Sequence, residues 1–296
     1  MDHEWFSLSI ACAFSLASAD ACAKKFFSDC SPWVMVLIRF GVPAVLLSPF
    51  TLLCPLPAVP PVFWVWIALL VPLEILAMWL YMSAIRDSPL YLTLPYLAFT
   101  PVFNILTGYL VLAERVSWTG SAGIILVVAG AYSLNLKQTS FMGWRSWLLP
   151  FTAIFRERGS RLMMGVALIY SLTSVLGKHA MSYATPLSFG PFYFVLIGCV
   201  MIVVSLAVRR EQIRSGPDLL RRWPGLFLVG GFLAVMVITH FTAIAQVEVA
   251  YFISLKRSSL LFGILYGALF FGERSVARHF LAGGLMVAGI ILIMTT

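Results

Sequence analysis

Apolar segments of about 20 residues recur along this 296-residue chain from one end to the other. A helix of that length crosses a hydrocarbon layer of about 30 Å at about 1.5 Å per residue. Hydrophobic residues make up 61% of the chain, charged residues 11%, and the mean hydropathy is +0.96, which excludes an ordinary soluble domain. The pattern predicts an all-α membrane protein with ten transmembrane helices. The predicted spans are 5–24, 33–53, 62–85, 89–112, 117–136, 162–182, 187–208, 224–246, 249–271 and 277–294.

Two stretches 159 residues apart repeat each other, Phe103–Arg115 and Phe262–Arg274. At the same offset, Val128-Ala-Gly130 coincides with Val287-Ala-Gly289. A weaker match at an offset of 154 sets Lys24 to Pro32 over Lys178 to Pro186. The chain therefore contains an internal repeat of apolar helices, as do transporters built from two related bundles.

Five spans in each half is an odd number, so a second copy of the unit enters the membrane from the opposite side. The sequence therefore predicts two inverted five-helix repeats, 1–136 and 162–296. A basic linker, 137–161, joins them, and its Trp144, Arg145 and Trp147 suit the membrane interface. The first segment has no basic residue before it and no small-residue cleavage site, so we expect it to be a retained helix.

The basic residues divide unequally between the two sides of the predicted ten-span topology. Fifteen of the 20 Lys and Arg residues fall on one side, only Arg115 and Lys178 fall on the other, and three lie within spans. The positive-inside rule makes the basic side cytoplasmic and puts both termini outside. The pI of about 9.4 is thus a topology signal, and we expect no nucleic acid as a partner.

Span 4 contains Pro95 and Pro101 and ends in Gly-x-Leu-x-Leu-x-Glu-Arg, and a Gly-rich helix closing on Val-Ala-Gly follows it. Spans 9 and 10 repeat this pattern. Together with Ser254–Ser259 and the stretch from Ser31 that begins span 2, it resembles the EamA-like branch of the drug/metabolite transporter superfamily over the whole chain. The resemblance implies ten helices around a central cavity, lined by the first, third, fourth, sixth, eighth and ninth, and a role in moving small metabolites.

Two features depart from the resemblance. Position 260, which matches Pro101 in the repeat, is Leu, so span 9 is predicted to be less kinked than span 4. Many members of the family keep both ends in the cytoplasm, whereas the basic residues here predict both ends outside.

A charge in the middle of a span costs about 2.5–3.5 kcal/mol on insertion scales, so each one needs a partner, water or a function. Glu74 lies near the midplane, and Lys256, Arg257 and His240 lie nearer the outer surface. We expect them to face one polar cavity that binds a zwitterionic or anionic solute, with Glu74 and His240 as candidates for proton coupling. Four further predicted contacts shape this cavity: Trp79, Tyr81, Tyr96 and Asn104.

Structural interpretations of the same residues stay open. Lys256 and Arg257 point about 100° apart on a helix, so at most one aims squarely into a cavity, and either can reach interfacial water. His240 can be a neutral side chain hydrogen-bonded between helices. Asp20 and Arg39 lie at matching depths, which predicts a structural ion pair.

Two further motifs can also be explained by a structural role alone. Glu114-Arg115 and Glu273-Arg274 suit helix termination and pairing at the interface. Gly263 and Gly267 form a small-xxx-small face, which suits close helix packing in a moving bundle and in a static one alike.

These observations predict a secondary transporter of a small metabolite or drug, exporting it by alternating access around a midplane cavity between the repeats. The chain has no phosphate-binding loop and its four His lack metal-site spacing, so we expect no enzyme activity, cofactor or metal site. A passive channel, a lipid translocator and an intramembrane enzyme are the alternatives. The expected partners are a small-molecule solute, the lipid bilayer and, as an open option, a second copy in a homodimer. We expect a multi-pass protein of the cell membrane, the inner membrane of a bacterium.

Overall fold

The computed structural model describes residues 4–87, 94–134, 157–214, 219–271 and 276–295, and in these ranges all regular structure is helical. The α-helices are α1 Glu4–Phe27, α2 Pro32–Leu53, α3 Pro61–Asp87, α4 Thr100–Leu112, α5 Trp118–Leu134, α6 Arg158–Met181, α7 Pro186–Arg214, α8 Trp223–Ile244, α9 Val249–Lys256, α10 Ser259–Phe271 and α11 Val276–Met294. Two 3-10 helices lie at Leu94–Phe99 and Leu219–Arg222.

Seven of the described segments are long and apolar enough to cross a membrane. Three shorter apolar helical segments accompany them, Tyr96–Leu112, Trp118–Ser133 and Leu281–Met294. Helices of this number and composition define a multi-pass membrane protein. Every one of these segments coincides with a predicted span, while the total of ten crossings stays a prediction.

The predicted linker 137–161 falls mostly outside the described residues. Its last four residues, from Arg158 onward, form the first turn of α6. Ser160 in that turn is fully buried, so this part of the predicted linker belongs to the helical bundle.

Span 9 is interrupted although it lacks the proline of span 4. Its first half, α9, ends at Lys256, and α10 begins at Ser259. At the offset of 159, Ser259 corresponds to Thr100, where α4 follows the 3-10 helix of span 4. Both repeats therefore begin an α-helix at the same position. The sequence did not predict this interruption, and the expectation from Leu260 that span 9 is less kinked than span 4 stays a prediction.

The first of two compact units comprises Met1–Trp64, Ala180–Val247 and Ser258–Glu273. Helix α1 packs against α8, and α2 packs against α7. The Phe40 and Phe194 rings stack with their centroids 5.8 Å apart. Close approach of α2 and α7 depends on Gly198, because a Cβ there would lie 2.5 Å from the Ala44 Cβ. The unit thus takes helices from both sequence halves.

Hydrogen bonds from an arginine join the start of α8 to the end of α1 and to the connection between α1 and α2 in this unit. Both terminal nitrogens of Arg222 donate to the Asp29 carboxylate, at 2.6 and 2.7 Å, and Nη1 also donates to the Phe26 carbonyl at 2.9 Å. The hydrogen bond from Arg222 lowers the pKa of Asp29 below its ordinary value of 3.8. Because the pair is exposed, its effect depends on pH and salt rather than on burial.

We expect the stability difference between the wild type and Asp29→Asn to vanish in acid. A carboxyl whose folded-state pKa is lowered stabilises the fold above its unfolded-state pKa, and this contribution is lost as the pH falls through the folded-state value. Thermal unfolding of both proteins from neutral pH to about pH 3 measures the difference. A gap that stays constant over this range would show that the Asp29 charge contributes nothing.

The second compact unit comprises Val65–His179, Glu248–Arg257 and Arg274–Thr296. Chain segments thus pass from one unit to the other at the interruption of span 9, between Arg257 and Ser258. In this unit α4 packs against α9, and α5 packs against α11.

Glycines bring α5 and α11 into close antiparallel contact. A Cβ at Gly123 would lie 2.7 Å from the Gly289 carbonyl oxygen, and one at Gly130 would lie 2.6 Å from the Ala282 carbonyl oxygen. By contrast, the predicted close-packing residue Gly263 is exposed, and a Cβ there would meet no atom of the described residues within 4 Å. The close approach of α5 and α11 therefore uses Gly123 together with Gly130 and Gly289, the glycines of the two Val-Ala-Gly motifs.

Gly289→Ala is expected to lower the melting temperature by about 2–6 °C, because overpacking a close contact costs about 1–3 kcal/mol. Its methyl group would lie 2.5 Å from the Gly123 carbonyl oxygen. Gly284→Ala in the same helix is the control, since a Cβ there would meet no described atom within 4 Å. Alanine is the better helix former, so Gly284→Ala should be neutral or stabilising. Equal effects of the two substitutions would contradict the close packing.

Candidate functional site

One turn of α6, Tyr170–Ser174, gathers polar groups from three other segments of the second unit. The Thr173 hydroxyl lies within hydrogen-bonding reach of the Glu74 carboxyl on α3. Ser171 hydrogen-bonds with Thr107 of α4 at 2.8 Å. We call this turn, with the groups that interact with it, the polar layer. It consists of Glu74, Thr107, Tyr170, Ser171, Thr173, Lys256 and Arg257.

Glu74 is the central residue of α3, since 74 − 61 and 87 − 74 both equal 13. It is therefore about 20 Å from either end of the helix at about 1.5 Å per residue. The Lys256 ammonium is close enough to attract the carboxylate electrostatically. Although protein atoms surround the carboxyl densely, the residue keeps intermediate accessible surface. That combination is typical of a group lining an internal recess rather than one sealed in a core.

Arg257 follows the last residue of α9, at the interruption of span 9. Its Nη2 donates to the Leu97 carbonyl at 2.7 Å. The same carbonyl accepts the Thr100 hydroxyl at 2.8 Å, so both of its lone pairs are used. The Tyr170 hydroxyl interacts electrostatically with the guanidinium, whereas Nε is buried without a hydrogen-bond partner in the described part of the chain.

Asn104 lies on α4 one turn before Thr107, on the same face of that helix. The residue is 1% exposed, and neither its amide nitrogen nor its amide oxygen has a partner among the described residues. A buried amide left unpaired costs about 1–3 kcal/mol. Asn104 is therefore a buried amide, one helix turn from the polar layer, that is able to accept and donate hydrogen bonds.

Two other predicted contacts of the second unit, Tyr81 and Tyr96, lie in or against a buried cluster that Tyr170 of the polar layer also contacts. Tyr96 is 1% exposed in a cluster with Met163 and hydrogen-bonds with Ser160. Tyr81 packs against that cluster. Trp79 is 55% exposed on α3, at a position that suits contact with lipid.

Three predicted residues belong to the first unit. His240 lies on α8 with its ring centroid 4.9 Å from that of Phe241. Asp20 and Arg39 form the ion pair that their matching depths predict. The structure thus brings together Glu74, Lys256 and Arg257 of the predicted set, with Asn104 beside them.

Glu114 follows the end of α4 and is paired, in line with the structural interpretation of the Glu-Arg motif, but the sequence did not identify its partners. Ala113 adopts a left-handed conformation, φ 54°, that ends α4 and lets the chain turn back. The Glu114 carboxylate then accepts Lys178 Nζ at 2.7 Å and the Val249 backbone N–H at 2.9 Å. Gly108 makes room for it, since a Cβ there would lie 2.9 Å from the carboxylate. The Gly-x-Leu-x-Leu-x-Glu motif is the only sequence signal, and it does not reveal these partners.

The helices define a multi-pass α-helical membrane protein. The family model described as the EamA-like transporter family matches residues 4–136 and 158–295. The chain therefore belongs to the EamA-like transporter family, as its motifs predict.

One solved structure, described only as the crystal structure of a protein, is similar in fold. It has a TM-score of 0.75 at 15% sequence identity, covering 98% of this chain and 96% of that chain. At that identity the likeness concerns the fold alone. No curated protein matches this chain in sequence.

Proposed function

We propose that this chain is a secondary transporter, without enzymatic activity, that exports a small metabolite or drug through the polar layer by alternating access. The observation that carries the proposal is Glu74, a carboxylate at the centre of an apolar helix. It faces Thr173 and Lys256 and keeps accessible surface. Ionisable groups at such a depth are expensive and mark solute or proton pathways.

The polar layer suits a zwitterionic or anionic solute. Lys256 and Arg257 offer two positive charges and Glu74 one negative charge, and the Asn104 amide lies one helix turn from Thr107 of the same layer. Interrupted helices recur at the binding sites of secondary transporters, where backbone groups become available to ions and solutes. Glu74 is the candidate for proton coupling. His240, Trp79, Tyr81 and Tyr96 remain predicted contacts on sequence grounds.

Internal contacts support the proposal of inverted repeats. At the offset of 159, Gly123 corresponds to Ala282 and Gly130 to Gly289, and the observed contacts pair Gly123 with Gly289 and Gly130 with Ala282. A two-fold axis perpendicular to the helices produces this reciprocal pairing. At the offset of 154, Ala44 corresponds to Gly198, and these two also meet.

The basic residues favour both termini outside a cell membrane, in a bacterium the inner membrane. In that orientation the connection between spans 2 and 3 is external. A membrane-impermeant thiol reagent added to intact cells should therefore label Cys54, which is partly exposed. Protection of Cys54 in cells, with labelling in opened vesicles, would reverse the orientation. The solute and the bilayer are the proposed partners, with a homodimer left open.

The transport proposal is tested with the full chain reconstituted in vesicles. Vesicles preloaded with one unlabelled amino acid, nucleoside or amphipathic amine at a time are supplied with a trace of its labelled form outside. A carrier exchanges the two, so labelled solute accumulates transiently against its gradient. A channel allows equilibration without that overshoot. Absence of exchange for every class would undermine the carrier proposal.

A further inference from the structure

The charges of the polar layer do not balance among the described residues. Lys256 and Arg257 contribute two positive charges and Glu74 one negative charge, which leaves one positive charge. Glu74 and Lys256 attract each other. Arg257 has no carboxylate partner in the part of the chain that the structure describes, and its hydrogen bond goes to the neutral carbonyl of Leu97. The unmatched charge is therefore the guanidinium.

An unmatched guanidinium is unfavourable in this place. Its Nε is buried and has no hydrogen-bond partner among the described residues. One carbonyl replaces only part of its hydration, because a buried ion needs a counter-ion or a full set of hydrogen bonds. The residue nevertheless keeps intermediate accessible surface, so a small group can reach it.

We propose that Arg257 is the anion-binding residue of the site and that the transported solute carries a carboxylate or a similar anionic group which pairs with it. This inference rests on the proposed function and narrows its solute class. Arginine suits the role because its planar fork of N–H groups matches a carboxylate in two parallel hydrogen bonds. Lys256 is instead the electrostatic partner of Glu74. The two adjacent cations therefore have different roles.

Asn104 offers the solute a second contact. Both polar atoms of its side chain are buried and lack a partner in the described ranges. An amide can donate to an acceptor and accept from a donor at once, so it suits a solute with a polar group beside its anionic one. A solute of this kind gives partners to the Arg257 Nε and to both polar atoms of Asn104, which have none among the described residues.

The alternative is that Arg257 has only a structural role, its hydrogen bond to Leu97. Melting temperatures distinguish this structural role from the anion-binding role. If the guanidinium awaits an anion, Arg257→Gln removes an unfavourable charge and raises the melting temperature of the purified, ligand-free protein by about 2 °C or more. If it is a structural fastener, the same substitution lowers it. Arg161→Gln is the matched control, because Arg161 is exposed on α6 of the same unit and should change little.

Paired probes then test the anion directly. Benzoate, succinate and L-phenylalanine are each compared with the corresponding amide by their effect on melting temperature. At least one carboxylate should stabilise the wild type more than its amide does, with about 10- to 100-fold weaker half-saturation in Arg257→Gln and no change in Arg161→Gln. A lower melting temperature of ligand-free Arg257→Gln, or no carboxylate preference in any pair, would overturn the proposal.

The two proposals can fail separately. Exchange of a neutral or cationic solute that Arg257→Gln leaves intact would overturn the anion-binding role and leave the carrier standing. Selective carboxylate binding that depends on Arg257, without exchange in vesicles, would support the binding role and count against the carrier.

Discussion

Glu74→Gln is expected to slow solute exchange in reconstituted vesicles by about 10- to 100-fold, the equivalent of losing a charged hydrogen-bonding group worth about 1.5–3 kcal/mol. Glutamine has the same shape and can still accept the Thr173 hydroxyl, but it carries no charge opposite Lys256 and cannot exchange a proton. The loss should therefore appear mainly in exchange, with a smaller effect on folding, because the substitution leaves Lys256 without the carboxylate that it faces. Vesicle counterflow measures the first, and the melting temperature of the purified protein measures the second.

Two further variants sharpen this test. Glu4→Gln removes a carboxylate from an exposed position at the start of α1 and should leave exchange unchanged. Glu74→Asp keeps the charge but shortens its reach, so partial exchange is expected. Full exchange in Glu74→Gln would remove Glu74 from the transport mechanism. A large fall in the melting temperature would make it a structural residue.

Glu114→Gln is expected to lower the free energy of unfolding by about 3 kcal/mol, because breaking a largely buried ion pair leaves an uncompensated charge. The corresponding fall in melting temperature is about 6 °C. The side chains of Lys178 and Glu114 are 18% and 11% exposed, so water screens their attraction little. The Glu114 carboxylate accepts hydrogen bonds from both Lys178 Nζ and the Val249 N–H. A glutamine amide has only one acceptor oxygen, so its NH₂ donor would face one of these two donors.

A double-mutant cycle isolates this contact from general effects of substitution. Lys178→Gln combined with Glu114→Gln should destabilise by less than the sum of the two single substitutions. Arg115→Gln is the matched control, because Arg115 is the exposed neighbour of Glu114 and should have little effect. Strictly additive losses would show that Glu114 and Lys178 do not stabilise each other.

Helix positions followed directly from the sequence. The predicted span 33–53 is α2, Pro32–Leu53, and the predicted span 187–208 lies within α7, Pro186–Arg214. Such agreement has a simple cause, since an apolar run in lipid must satisfy its backbone hydrogen bonds internally and so becomes a helix along its length. The Asp20–Arg39 pair was also predictable, because two opposite charges at one depth remove each other's insertion cost.

Side-chain partners were much less predictable. The small-xxx-small spacing of Gly263 and Gly267 suggested a close-packing face, but a Cβ at Gly263 would meet no described atom within 4 Å, and close contacts are found at Gly123 and Gly289. Every apolar helix offers several faces with small residues, and only the neighbouring helix decides which face is used.

The sequence by itself determined the class of protein, the family, the positions of the spans and the presence of an internal repeat, because these depend on local composition and on motifs along the chain. The tertiary structure decided which distant groups meet. It set Glu74 beside Thr173 and Lys256, and it left Arg257 without a carboxylate partner among the described residues. It also interrupted span 9 without a proline. These outcomes depend on how helices far apart in sequence pack together, and no local pattern encodes that packing.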